Sequence, residues 1–315
     1  MTEMTYIKLL NKTLKYYFKN EYNKGYEFLS EHMDQVDGNQ AQLYNFKYTL
    51  ACKAGKTEQA MEILKEAVLR KGYWYASSYL KEDEDLDPLR DLDDFDEILQ
   101  VCAKRERQAK SKAVPELKVI KPVERDLKEY PLFITVHGNQ DNMRIVNKYF
   151  KKVLDFGYLH AVVQSSQIEF YDAYTWPDID LGAKEIRDHY HSIKDKYEID
   201  TDQIIMGGFS AGAEVILKAI EQKYVKPNGV ILMAPWLPNI AQSNALFNQL
   251  KENDIKVYLL CGKEDQDCLP GTQKLVKGLK SKKIEYKFVL IDGLDHDYPD
   301  DFNQYLKKAV EYIME

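Results

Sequence analysis

The stretch Ile204-Ile205-Met206-Gly207-Gly208-Phe209-Ser210-Ala211-Gly212 decides how this chain is read. An apolar run ends in two glycines, a serine stands inside Gly208-Phe209-Ser210-Ala211-Gly212, and a helical pattern begins immediately afterwards. A strand that turns at once into a helix forces the residue at the turn into a strained backbone region, where bulky neighbours would clash. Ser210 is therefore expected to project above a sheet, its hydroxyl at a helix N-terminus where the macrodipole favours developing negative charge.

A serine hydroxyl is a poor nucleophile and needs a base, which in turn needs an orienting acid. Two downstream loops offer them. The expected strand Val257–Cys261 runs into Gly262-Lys263-Glu264-Asp265-Gln266-Asp267-Cys268, and Tyr286–Ile291 runs into Asp292-Gly293-Leu294-Asp295-His296-Asp297. Both loops leave carboxyl ends of strands, the edge at which open α/β sheets place their sites. His296 is the candidate base. Asp265 and Asp267 are both candidate acids, with Asp265 preferred because it sits three residues after Gly262, where the turn comes back towards the histidine loop. Asp267 and Cys268 would then line the outer side of that loop.

The oxyanion of acyl transfer needs two N–H donors. Strand Leu132–Val136 ends in His137-Gly138-Asn139-Gln140, so Asn139 and Ala211 are nominated, with His137 as a structural hydrogen-bonder. Tyr174 and Trp176, with Gln140, are candidate walls of a substrate pocket, although packing roles fit the two aromatics equally well. His189 and His191 lie two apart on a helix and point to different faces, so they do not form a metal pair.

Working outward, further apolar runs at Tyr158–Gln164 and Gly229–Ala234 alternate with helical stretches near 142–154, 179–197, 211–223, 241–251 and 271–280, and a last helix starts from Asp301. Such alternation signals βαβ units and a parallel sheet between helical layers. Before Lys104 the apolar spacing is helical throughout, as at Met61, Leu64, Ala67 and Val68. Asn20, Gly25, Leu29 and His32 are echoed 35 positions later by Gly55, Ala60, Leu64 and Ala67. The acidic run Glu82–Glu97 lacks the glycine and closing glutamate of a calcium loop and reads as a solvated loop with helix-capping aspartates. The basic stretch Lys104–Lys121, punctuated by Pro115 and Pro122, marks the passage to the first strand. The expected division is a helical domain over 1–112 and an α/β domain over 113–315.

Of 315 residues 44% are hydrophobic and 30% charged, a composition suited to a full core, and the net charge of -7 argues against nucleic acid as a partner. No run approaches the roughly 18 apolar residues of a membrane span, and the first ten residues hold no signal-peptide core. A cytoplasmic location is expected. The four cysteines show no zinc or redox spacing and read as free thiols.

With these motifs assembled, Tyr130 to Glu315 resembles the α/β-hydrolase superfamily, nearest its dienelactone-hydrolase and carboxylesterase-like branches. His137-Gly138, Gly208-Phe209-Ser210-Ala211-Gly212, Gly262-Lys263-Glu264-Asp265 and Gly293-Leu294-Asp295-His296 carry the likeness, in the chain order Ser, Asp, His. The resemblance implies a three-layer sandwich with a mostly parallel sheet, and hydrolysis through an acyl-enzyme on Ser210 with Asp265 and His296; an ester or thioester with a small or medium acyl group is the leading expectation for the substrate. It implies no metal and no cofactor. The second helical copy resembles the tetratricopeptide repeat through Gly55, Ala60, Leu64 and Ala67, with Gly72 where that family prefers proline, which suggests a helical domain able to dock a protein partner. Two other readings compete: a peptidase of the prolyl-oligopeptidase type, whose β-propeller is missing here, and an interaction protein on a relic hydrolase core. Only 22 residues separate Ala234 from Val257, too few for an inserted lid, so the helical domain is also a candidate substitute lid.

Overall fold

The computed structural model describes residues 4–122 and 127–315. It divides into two units, one taking the chain up to Ala113 together with Ile168–Ala173, the other taking Val114–Gln167 and Tyr174–Glu315.

The first unit is built on helices α1 (Tyr6–Phe18), α2 (Tyr22–His32), α3 (Gln40–Lys53), α4 (Thr57–Lys65), α5 (Ser77–Glu82), α6 (Asp87–Arg90) and α7 (Phe95–Lys112). Their starts follow from local chemistry: Thr5 caps α1, and Asn39 accepts hydrogen bonds from the N–H groups of Ala41 and Gln42 at the start of α3. Gly55, with φ 75, turns the chain after α3 in a conformation that suits glycine. Ala60, Leu64 and Ala67 are fully buried in a core with Tyr48, Tyr75, Leu80 and Ile98. The acidic run expected to be a solvated loop is partly helical. Asp83 caps the short turn Glu84–Leu86, Asp85 pairs with Lys53 at 2.8 Å, and α6 follows with Pro88 in its first turn.

The second unit holds strands β1 (Glu116–Ile120), β2 (Tyr130–Val136) and β3 (Leu159–Gln164). After the short β4 (Ile168–Phe170), which belongs to the first unit, and β5 (Ala173–Tyr174), which spans the boundary, the second unit continues with β6 (Ile199–Phe209), β7 (Gly229–Met233), β8 (Lys256–Gly262) and β9 (Tyr286–Ile291). Seven of them form one sheet in the order β1-β3-β2-β6-β7-β8-β9. β1 runs antiparallel to β3, while the other neighbours are parallel. β6 begins four residues earlier than its apolar run suggests. Asp200, Thr201 and Asp202 are polar, yet Ile199 already pairs with Tyr130.

Every residue of β2 is buried, as a strand covered on both faces requires. Leu132, Ile134 and Val136 join a core with residues of α9 (Ile179–Lys194), α10 (Ala211–Glu221), α11 (Asn244–Glu252) and α12 (Leu269–Lys282). On the other face Phe133 meets Phe150 at the end of α8 (Met143–Phe150), and Phe150 meets Phe302 of α13 (Phe302–Met314). The result is the expected three-layer sandwich; each large apolar side chain so buried contributes roughly 1.5–3 kcal/mol. Helix α8 is shorter than its pattern suggests, since its last turns tighten into a 3-10 segment, Lys151–Phe156, closed by Gly157 at φ 90. Register then sets the site: Val136 pairs with Gly208, Phe209 with Met233 and Gly262 with Ile291, so the loops after β2, β6, β7, β8 and β9 emerge at one edge.

Candidate active site

β6 ends at Phe209 and α10 starts at Ala211, leaving Ser210 alone to make the turn at φ 52 and ψ -123. Positive φ is costly for serine, and the surroundings fix it: Ser210 N–H donates to Met233 O at 3.0 Å, and Trp236 N–H donates to Ser210 O at 3.1 Å. The glycine at 212 is dictated by close approach, because a Cβ there would lie 2.4 Å from His137 O and 2.6 Å from Val136 O.

His296 Nε2 stands 3.0 Å from Ser210 Oγ, and its Nδ1 stands 2.8 Å from Asp265 Oδ2. Asp265 is 1% exposed and its Oδ1 accepts the Cys268 N–H at 3.0 Å, so only Oδ2 is left to face the imidazole. A carboxylate accepts, so Nδ1 carries the proton and Nε2 presents its lone pair to the serine hydroxyl. Asp267 is exposed; of the two acids it is Asp265 that meets the histidine. The expectation that Cys268 lines the outer side of the loop is corrected. It is 1% exposed, its Sγ lies 3.4 Å from His296 Nδ1, and burial beside the Asp265 charge pushes its thiol pKa far up. An aromatic stack backs the histidine: Phe209 meets the His296 ring at 4.8 Å and stacks on buried Tyr298 at 4.6 Å, which stacks on Tyr149 at 3.7 Å.

The turn after β2 is held from below. His137 is fully buried, and its Nε2 accepts the Ser165 N–H at 3.1 Å, so Nδ1 carries the proton and donates to Gly138 O at 2.6 Å. Burial pulls its pKa down to about 4 and keeps it neutral. Trp176 is 2% exposed, stacks on His137 at 4.8 Å and donates from Nε1 to His137 O at 2.9 Å. It supports this turn from the core, which is the packing alternative for that residue. Tyr174 is half-buried and pairs through its backbone with Asp141, and Gln140 is half-buried at φ 55. Asn139 Oδ1 accepts from Thr175 Oγ1 at 2.7 Å and Trp176 N–H at 3.0 Å, fixing the residue whose own N–H, like that of Ala211, has no acceptor among the described residues. Gly138 brings the turn against the serine: a Cβ on it would sit 3.2 Å from Ser210 Cβ.

Two neighbours of the serine were not singled out from the sequence. Trp236, in Ala234-Pro235-Trp236-Leu237-Pro238, is 39% exposed although its backbone is bonded to Ser210. Glu214 is 2% exposed on α10, and its Oε1 accepts the N–H groups of Asn239 and Ile240 at 3.1 and 3.3 Å, which ties down the loop carrying Trp236. An acidic residue inside an otherwise apolar helix, Ala213-Glu214-Val215-Ile216, was the available signal.

Residues 5–110 match the family model described as A/B hydrolase-like, N-terminal domain, and residues 183–314 match that of Phospholipase/Carboxylesterase. An uncharacterized protein from Bacillus cereus ATCC 10987, solved by crystallography, is 44% identical over 99% of this chain and 100% of its own, with a TM-score of 0.58. The chain belongs to the α/β-hydrolase superfamily. Other solved structures share the fold at low identity. Est1E from Butyrivibrio proteoclasticus is 14% identical over 64% of this chain and 95% of its own, with a TM-score of 0.50. A putative dipeptidyl aminopeptidase IV from Bacteroides ovatus ATCC 8483 is 13% identical over 65% of this chain and 34% of its own, with a TM-score of 0.53. No curated protein matches this α/β-hydrolase.

Proposed function

We propose that this α/β-hydrolase cleaves carboxylic esters or thioesters of small molecules through an acyl-enzyme on Ser210. The observation that carries the reading is the unbroken hydrogen-bonded chain Ser210–His296–Asp265, with 3.0 and 2.8 Å links. In this reading Ser210 Oγ gives its proton to His296 Nε2 as it attacks the substrate carbonyl, and Asp265 holds the imidazolium that forms. The Asn139 and Ala211 N–H groups receive the oxyanion at the mouth of α10, where the helix dipole adds its field. His296 then returns the proton to the leaving alcohol or thiol. A water molecule, deprotonated by the same nitrogen, releases the acid and restores the serine.

Labelling with a fluorophosphonate, which reacts only with an activated serine, tests the reading directly. The whole chain should be labelled once, at Ser210, and should hydrolyse nitrophenyl esters. A chain that takes no label and turns over neither esters nor thioesters would leave only a relic core with a helical docking unit. Among the described residues no helix is long and apolar enough to cross a membrane.

A further inference from the structure

The proposed general base has an unusual neighbour. One ligand atom each of Cys268, Asp265 and His296 lies within 4.8 Å of the other two, and two of the three residues are almost wholly buried. A tetrahedral zinc with bonds of about 2.0–2.3 Å separates its ligand atoms by roughly 3.3–3.6 Å. Sγ and Nδ1 already stand 3.4 Å apart. Nδ1 and Oδ2, now 2.8 Å apart, would have to open by about 0.5 Å to reach that separation. Asp265 Oδ1 is anchored by the Cys268 N–H, the kind of supporting bond that orients a ligating carboxylate. The His296 side chain is 31% exposed, so solvent reaches the residue that would supply the nitrogen ligand.

From this cluster we infer a second, inhibitory role: Asp265, Cys268 and His296 bind a thiophilic divalent cation such as Zn2+, and binding switches the serine centre off. The inference rests on the serine-hydrolase reading for its consequence, though not for the metal site itself. On binding, Cys268 gives its thiol proton to solvent and its sulfur becomes a thiolate ligand. The metal takes the Nδ1 lone pair, and the imidazole proton moves from Nδ1 to Nε2. Dication, thiolate and carboxylate then sum to zero charge, which suits a buried site. A protonated Nε2 has no lone pair for the Ser210 proton, so nucleophilic activation stops. With one sulfur, one nitrogen and one oxygen ligand, the set suits metals that bind thiolate and imidazole, whereas Mg2+ and Ca2+ demand oxygen ligands that it lacks.

The test uses the whole chain and the metal alone. Zn2+ should slow both ester turnover and fluorophosphonate labelling, a chelator should restore them, and Mg2+ or Ca2+ should do neither. Relative to its own metal-free rate, Cys268→Ala should need at least about tenfold more Zn2+ for half inhibition. Cys268→Ser is the second variant if the alanine form melts early. Independently of activity, Ser210→Ala should bind Cd2+ with the ultraviolet absorption of a cadmium–thiolate bond, and adding Cys268→Ala should remove it. Equal inhibition of wild type and both cysteine variants, or no Cys268-dependent cadmium absorption, overturns the inference. Loss of all hydrolysis and labelling with the cadmium band intact would sink the hydrolase reading and leave the metal site standing.

Discussion

Gly262 lies so close to Leu294 that a Cβ on it would sit 2.2 Å from the Leu294 carbonyl oxygen, and 2.6 Å from that of Asp295. The loop bearing Asp265 is thereby pressed against the loop bearing His296, and the Glu264 N–H bond to Leu294 O at 2.9 Å closes the join. No side chain fits between two backbones at that distance, so Gly262→Ala must push the loops apart. The expected result is a loss of turnover of about a hundredfold, the effect of an ångström's misplacement of catalytic groups, with far-ultraviolet circular dichroism unchanged. Wild-type kinetics in a folded Gly262→Ala protein would show that this contact does not set the site.

The two aspartates of the first loop should behave differently. Asp265→Asn keeps the shape but offers an amide where His296 needs a carboxylate, and turnover should fall by about four powers of ten, while Ser210→Ala should cost about six. Asp267→Asn changes an exposed side chain and should stay within a fewfold of wild type. Steady-state rates for the three variants on one nitrophenyl ester decide the matter, and a larger loss at Asp267 reverses the assignment.

Glu214 should make stability depend on pH in a definite direction. Burial raises the pKa of its carboxyl, with the Asn239 and Ile240 N–H groups opposing part of that shift. An acid with a raised folded pKa is a stabilising partner while protonated, and that contribution is lost as pH rises from the ordinary glutamate range, about 4.3, through the folded value. Glu214→Gln keeps an acceptor for both N–H groups and cannot ionise. Its melting temperature relative to wild type should therefore climb between pH 4 and pH 7. A constant difference across that range would mean that Glu214 ionises in the folded chain as it does in the unfolded one.

Much of this arrangement was legible in the sequence because it rests on local rules. Gly208 to Gly212 can bend in few ways between a strand and a helix, and the loops of Asp265 and His296 follow apolar runs that the structure pairs as β8 and β9. What stayed hidden depends on distant packing. Ile168–Ala173 falls between the expected strand 158–164 and the expected helix 179–197, yet its Phe170 and Ala173 belong to the core of the helical unit, and no pattern within six residues announces a partner such as Tyr75, 95 positions before Phe170. Trp176 and Trp236 look alike in sequence, each beside a proline. Only the fold buries the first under His137 and leaves the second exposed by Ser210.

That contrast yields the last prediction. Trp74 and Trp176 are 4% and 2% exposed against 39% for Trp236, so quenching of the chain's indole fluorescence by acrylamide should come mainly from Trp236. The backbone of Trp236 is bonded to Ser210, and Glu214 pins the loop that follows, so the exposed ring is held beside the nucleophile rather than on a free-swinging turn. An apolar surface there should bind the acyl or alcohol group of the substrate. Stacking of an aromatic group on it would contribute about 1 kcal/mol, or roughly a fivefold change in kcat/KM. Trp236→Ala should therefore lower kcat/KM for aryl esters more than for acetate esters, mainly through KM, and Trp236→Phe should restore much of the difference. A non-hydrolysable aryl phosphonate seated on Ser210 should also protect wild-type fluorescence from acrylamide. If quenching is the same with and without the bound aryl group, and the ester series is unchanged in Trp236→Ala, the indole lies outside the binding surface and the pocket must be drawn elsewhere.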